Sequence, residues 1–166
     1  MILIPKFKNT IEVGGSLSIV VTDTIENKIK QELYIPNLVV STGKTFIASR
    51  MVGTSSAVMT HMGIGTDSTT EVVGNTALGA ELTVGGGYTG YTRASLTTST
   101  NSANVVTYVA TFAANNPSAP SGGAVLREAG IFNASSAGTM LCRTTFPIVT
   151  KLPADALTIT WTVTIS

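Results

Sequence analysis

The chain has 166 residues and a formal net charge of +1 at pH 7, which suits one domain rather than two. Only 11% of its residues are charged, against roughly 25% in an average soluble domain. No run reaches the ~18–20 apolar residues of a membrane helix, and scattered Lys and Arg residues argue against a nucleic-acid partner. The low charge therefore indicates a surface buried against other subunits, or else a monomer coated in Thr, Ser, Asn and Gly.

The first predicted element is a strand in which Leu17, Ile19 and Val21 alternate. Residues 1–15 are treated as a possible N-terminal extension or arm of the domain. The apolar segment 1–5 is predicted either to reach a neighbouring subunit or to be an edge strand of the same domain. It is too short, and too soon interrupted, to be a signal peptide.

One short helix is predicted over about residues 43–52. Ser41 or Thr42 can cap its N-terminus, and Gly53 is placed to end it. Helical spacing directs three apolar side chains towards the sheet, namely those of Phe46, Ile47 and Met51. Residues 59–64 are predicted to form a strand, and residues 65–75 a loop.

The C-terminal half is predicted to be β-structure. Residues 104–112 form a strand, and residues 125–133 and 139–146 form a hairpin around the turn at 135–138. In the last strand the residues that must cover a core are Leu157, Ile159, Trp161, Val163 and Ile165. The opposite side is either a solvated wall or the contact surface of an oligomer, and holds Thr158, Thr160, Thr162 and Thr164. The fold class is mainly β: an antiparallel sandwich or jelly-roll-like domain with one short helix.

Patterns that could carry catalysis or cofactor binding are incomplete. The segment 39–45 lies between a strand and a helix like a phosphate-binding loop, but Leu38 stands where that motif needs its first glycine. Likewise Gly63 and Gly65 lack the third glycine of a dinucleotide site. Cys142, the single cysteine, is predicted to be a buried hydrophobic residue.

The ionisable residues give no complete site either. His61 is the only histidine, so a zinc site is not expected; it is predicted to be a core or interface residue, although a Ser–His–Asp arrangement stays open. Asp67 and Glu71 could offer oxygens to calcium, but their loop lacks the alternating acids of a dedicated site. The sequence therefore predicts no catalytic residue, no cofactor and no metal.

One ion pair is expected instead. Arg127 and Glu128 are neighbours in a strand, so one of them points inward and needs a partner. Arg143, on the neighbouring strand of the predicted hairpin, could pair with Glu128. We interpret these residues as structural, or as contacts between subunits.

Several motifs in order resemble a diffuse family of tailed-phage structural proteins, which includes capsid decoration (cement) proteins and tail or baseplate appendages. They are Asn37-Leu-Val-Val40, Gly43, Gly63-Ile-Gly-Thr66, Leu78, Glu81-Leu82, Arg93, Arg127-Glu-Ala-Gly-Ile-Phe-Asn133, Met140-Leu-Cys-Arg-Thr-Thr-Phe146, Lys151 and Leu157-Thr-Ile-Thr-Trp161. The resemblance covers most of residues 37–165. It implies a virion protein without catalytic activity, built from β-strands and usually oligomeric, and it marks no binding residue.

The expected function is that of a capsid decoration protein that binds between major capsid protein subunits in the virion, after assembly in the host bacterial cytoplasm. The expected partners are further copies of the chain, as a trimer or dimer with the trimer preferred, and other phage structural proteins, but neither nucleic acid nor a membrane. One alternative is a tail, baseplate or fibre component. Another is a carbohydrate-binding β-sandwich whose stacking rings are those of Tyr88, Tyr91 and Trp161.

Overall fold

A computed structural model describes residues 11–54, 57–119 and 122–166 of the chain. The described elements are β1 (Val13–Asp23), β2 (Lys28–Pro36), β3 (Leu38–Val39), α1 (Ser41–Met51), β4 (His61–Gly65), β5 (Ala94–Ser102), β6 (Val105–Phe112), β7 (Ala124–Phe132), β8 (Met140–Lys151) and β9 (Asp155–Ile165). A 3-10 turn covers Val84–Gly86. The strands form one antiparallel sheet in the order β2-β1-β9-β6-β5-β4-β7-β8-β3. The predicted class, mainly β with one helix, is confirmed.

The sheet curls until its two ends approach each other. Strands β2 and β3 stand at opposite ends of the strand order, although only Asn37 separates them in the chain. The backbone N–H of Asn37 donates to the carbonyl oxygen of Gly15 at 3.1 Å. Across the remaining gap, Nε2 of Gln31 donates to the carbonyl oxygen of Ile148, on β8, at 2.9 Å. The sheet is therefore a nearly closed, barrel-like structure.

Alternating side chains fill the interior of this barrel. Its largest fully buried apolar residues are Trp161, Phe112, Leu17, Ile19, Met62, Ile64, Leu126 and Ile131, whereas Phe132 and Met140 are buried in a separate small cluster with Val40 and Leu78. Cys142 is also fully buried, and burial raises the pKa of its thiol. The predictions that Trp161 belongs to the core and that Cys142 is a buried residue are confirmed.

Helix α1 begins earlier than predicted and without the predicted cap. Its N-cap residue is Val40, which offers no side-chain hydrogen bond, and the Oγ1 atom of Thr42 donates instead to the carbonyl oxygen of Met140 at 2.9 Å. Gly43 is the buried residue of the helix. It lies so close to β8 that a Cβ atom at this position would collide with the carbonyl group of Leu141. This backbone contact fixes the first turn of the helix on β8.

The C-terminal end of α1 differs from the prediction on one point. Gly53, at φ +70°, follows the helix as expected. Phe46 and Ile47 pack on the core, but Met51 is 76% exposed. Because the helix is held by its first turn, its contact with the core ends after Ile47, and placing Met51 on the sheet was wrong.

The predicted N-terminal extension, residues 1–15, overlaps the sheet. Residues 13–15 belong to β1 and pair with β9, and the backbone N–H of Glu12 donates to the carbonyl oxygen of Ser166 at 2.6 Å. Residues 12–15 are therefore part of the domain. Residues 1–10, and with them the predicted arm 1–5, lie outside the described residues. Within the described ranges no helix has the length and apolar character needed to cross a membrane.

Candidate functional site

The outer side of the sheet carries a regular face of small and hydroxyl side chains on β1, β9, β6 and β5. Along β1 and β9 every second residue is buried in the barrel, so the residues between them point outward. We call this surface the hydroxyl face; it comprises Gly14, Ser16, Ser18, Val20, Thr158, Thr160, Thr162, Thr164, Val105, Thr107, Val109, Thr111, Thr100 and Ser102. Strand register aligns these residues in transverse rows, for example Ser16, Thr162 and Thr107.

Hydroxyl groups of neighbouring strands bond to one another across this face. The Oγ atom of Ser16 lies 3.1 Å from Oγ1 of Thr162, and the Oγ1 atoms of Thr111 and Thr158 lie 2.9 Å apart. The Thr162 hydroxyl also donates to the carbonyl oxygen of Ser16 at 3.1 Å. These contacts hold the side chains in defined positions. Every member of the face is uncharged, so its electrostatics are those of hydroxyl dipoles.

The predicted ion pair between Glu128 and Arg143 is confirmed, and it lies inside the protein. Nε of Arg143 donates to Oε2 of Glu128 at 2.8 Å, and both side chains are buried. Glu128 also accepts the backbone N–H groups of Gly79 and Ala80, at 2.9 and 2.7 Å. Since Gly65 contacts this carboxylate and the carbonyl of Ala80, a side chain has no room at Gly65.

Arg143 also fixes the long loop that follows β4. Its Nη2 donates to Oδ2 of Asp67 at 2.8 Å, and its Nη1 donates to Oδ1 of Asn75 at 3.1 Å. The backbone and hydroxyl groups of Thr69, followed by Arg143, hold the pKa of Asp67 below its ordinary value. Oε2 of Glu71 accepts the Thr145 hydroxyl at 2.7 Å. These oxygens therefore bond to protein donors, and the described residues contain no cluster of metal-ligating side chains.

A second ion pair fastens the end of the same loop. Nε and Nη2 of Arg93 each donate to a carboxylate oxygen of Glu81 at 2.7 Å, and its guanidinium stacks 3.5 Å from the ring centre of Phe132. Nη1 of Arg93 donates to the carbonyl oxygens of Ala134 and Ala137. Every nitrogen of this guanidinium thus has an acceptor, and the group is placed to hold structure rather than a ligand.

A cluster of charges lies at one end of the barrel. The carboxylate of Asp155 is buried and accepts Nζ of Lys30 at 3.0 Å and the backbone N–H of Leu152 at 3.0 Å. Lys151 is fully buried nearby, and within the described ranges its Nζ has no hydrogen-bond partner. Burial lowers the pKa of Lys151 to about 8, although Asp155 opposes this shift. The sequence did not indicate this cluster.

Replacing Lys151 by Met is expected to stabilise the protein by up to about 3 kcal/mol at pH 7. The folded state releases the proton above a pKa of about 8, whereas the unfolded chain keeps it up to about 10.5. Between about pH 8 and pH 10.5 the unfolded state binds more protons than the folded state, so the stability of the parent rises with pH in this window. Below about pH 8 the cost of burying the charge is fully present. Denaturant unfolding at pH 7 and pH 10.5 measures both effects.

The control for this substitution is the exposed Lys28, whose replacement by Met is expected to change stability by less than about 0.5 kcal/mol. The difference between Lys151→Met and its parent should shrink as the pH rises to 10.5. A loss of stability at pH 7 would mean that the attraction to Asp155 outweighs the cost of burial.

His61 is half-buried on β4 and is not a core residue, because its side chain lies on the outer side of the short strand. Its Nδ1 lies 2.8 Å from the Thr60 hydroxyl, and its Nε2 lies 3.5 Å from that of Ser95. In the described part of the chain this ring contacts hydroxyl groups and no carboxylate, so no Ser–His–Asp arrangement is assembled there. In the segment 39–45 the backbone of Gly43 meets Leu141, where a phosphate would have to approach.

Comparisons with protein-family models, curated proteins and solved structures found no match.

Proposed function

We propose that the protein is a non-enzymatic structural subunit of a tailed-bacteriophage particle. Within that class we propose a capsid decoration protein, located in the virion and bound between major capsid protein subunits. The observation that supports this best is the hydroxyl face, an ordered and uncharged surface on the outer side of a sheet. The motifs of residues 37–165 that resemble phage structural proteins support it independently.

In this proposal the protein adds contact area between neighbouring subunits and contributes stability without chemistry. An uncharged face is suited to such a role, because its burial does not strip water from ions. Three charged side chains, those of Arg143, Glu128 and Arg93, serve internal contacts, and the exposed Glu32 on β2 stands at the border of the face, beside Val20. The barrel would thus be a rigid body that presents one broad neutral side.

A tail, baseplate or fibre component is the second candidate. The same motifs are found across both classes in the resemblance, and a neutral sheet face serves permanent contacts in either place. The carbohydrate-binding alternative is weaker. Of its three proposed rings, Trp161 is 0% exposed and Tyr91 is 7% exposed, and sugar stacking needs rings on an accessible surface.

Electron microscopy of purified virions that carry this chain tests the proposal. We expect density for the barrel on the head, at contacts between major capsid protein subunits. Density at the tail or baseplate would support the second candidate instead. If immunoblotting finds the chain in infected cells but not in purified virions, the proposal of a virion protein is wrong.

A further inference from the structure

We infer that the hydroxyl face is the contact surface for a second copy of this chain, packed on it face to face about a two-fold axis. The sequence leads us to expect association between copies of the chain, and the structural role proposed above, on which this inference rests, leaves open which surface joins them.

The chemistry of the face makes it complementary to itself. In a two-fold contact the same patch meets its own copy, so any dominant charge would be repelled. Ser and Thr hydroxyls both donate and accept, so a row such as Ser18 and Thr160 can bond to an identical row.

The area of the face reaches the lower limit for a specific contact. Strands lie about 4.8 Å apart, and residues on one side repeat every ~6.8 Å along a strand. Strands β1, β9, β6 and β5, with rows from Gly14 to Val20, therefore span about 19 by 27 Å, or roughly 500 Å². Two copies would bury about 1,000 Å² in all, which is where specific interfaces begin.

The hydroxyl pairs within the face lower the cost of its burial. A hydroxyl that loses water without a new partner is destabilising. Ser16 and Thr162 already share a hydrogen bond, as do Thr111 and Thr158. Val20, Val105 and Val109 supply apolar area among them. Two such sheets can stack ~10 Å apart with their strands at about −30°.

The replacement of Thr160 by Lys tests the contact, because Thr160 lies near the middle of the face, between Ser18 and Val109. Sedimentation of the parent should give twice the monomer mass of 17.1 kDa. Two lysines facing each other near the axis should weaken dimerisation roughly 100-fold or more. The matched control is Thr70→Lys, in an exposed loop, which should leave the dimer unchanged.

Ser18→Lys serves as a second variant if Thr160→Lys fails to fold, as judged by circular dichroism. A parent that sediments at 17.1 kDa across micromolar concentrations overturns the inference. A three-fold mass overturns the two-fold arrangement. A dimer that both folded variants retain overturns the choice of surface.

Cross-linking locates the axis independently. In Thr160→Cys the new thiol is the reactive one, because Cys142 is buried. A short bismaleimide cross-linker, which can span the ~10 Å between stacked sheets where a direct disulfide cannot, should link two copies of Thr160→Cys, whereas Thr70→Cys should remain unlinked. Failure to cross-link within an intact dimer would contradict the face-to-face packing. A monomer that still decorates virions would overturn this contact while leaving the proposed function standing, and a dimer absent from virions would do the reverse.

Discussion

Replacing Arg143 by Leu is expected to lower the free energy of unfolding by about 3–5 kcal/mol. The guanidinium has three acceptors, the side chains of Glu128, Asp67 and Asn75, and its side chain is only 2% exposed. Leu would leave the Glu128 carboxylate in the interior without its cation. Two backbone N–H groups would still bond to it, but they do not cancel its charge. Urea unfolding at pH 7 measures the change.

Arg127→Leu is the matched control, because it makes the same substitution on the same hairpin at a half-buried position. Its effect should stay within about 0.5 kcal/mol. Adding Glu128→Gln to Arg143→Leu should restore part of the loss, since the amide oxygen still accepts a backbone N–H without a charge. If Arg143→Leu and Arg127→Leu destabilise equally, the ion pair contributes nothing measurable.

Arg143→Leu should also loosen the loop that follows β4. Arg143 holds Asp67 and Asn75, and Glu128 holds the backbone of residues 79–80. Without the guanidinium, this loop loses its attachment to β8 at two points. Limited proteolysis of the folded variant should therefore cut within residues 66–82 faster than in the parent. Equal cleavage would show that the contact of Glu71 with Thr145 and those of Glu128 with residues 79–80 hold the loop without Arg143.

Strand β9 could be predicted from the sequence because apolar residues and threonines alternate without a break from Leu157 to Ile165. Strand β2 carries a similar alternation, with Leu33 and Ile35 on the buried side, but Lys28 and Lys30 at its start weaken the pattern. A register shift of β1 against β2 after Val21 breaks it further. In β5 (Ala94–Ser102) Leu96 is the sole large apolar residue, so hydroxyl-rich strand and loop cannot be told apart there.

The order of the strands could not be predicted, because pairings such as β1 with β9 join residues far apart in the chain. The sequence therefore led to a sandwich or a jelly roll without indicating the near-closure at Gln31. The buried charged residues could be predicted only in part. Glu128 and Arg143 were found because they lie on one hairpin, whereas Asp67 comes from a distant loop. Lys151 lies two residues after the buried Val149 in β8 and points to the same side of the strand. Because lysine is almost never fully buried, the sequence did not indicate that Lys151 is a buried residue.

Replacing Trp161 by Ala is expected to destabilise the fold by about 3–5 kcal/mol, the usual cost of deleting a large buried aromatic residue. Trp161 is 0% exposed in β9 and pairs with Leu17 of β1 and Tyr108 of β6. The cavity left by Ala would lie where these central strands face the interior. Thr160→Ala, on the hydroxyl face of the same strand, should cost less than about 1 kcal/mol in the monomer. Thermal and urea unfolding compare the two variants.

Replacing Trp161 by Phe separates packing from hydrogen bonding. In the described part of the chain the indole Nε1 is buried without an acceptor, so Phe would remove an unsatisfied donor along with some volume. The loss of volume destabilises and the loss of the donor stabilises, which should hold the net cost of Trp161→Phe below about 2 kcal/mol. If Phe costs as much as Ala, the N–H must have a partner, such as a bound water. If Ala leaves the melting temperature within a few degrees of the parent, Trp161 does not support the core, and β9 does not direct its apolar side inward.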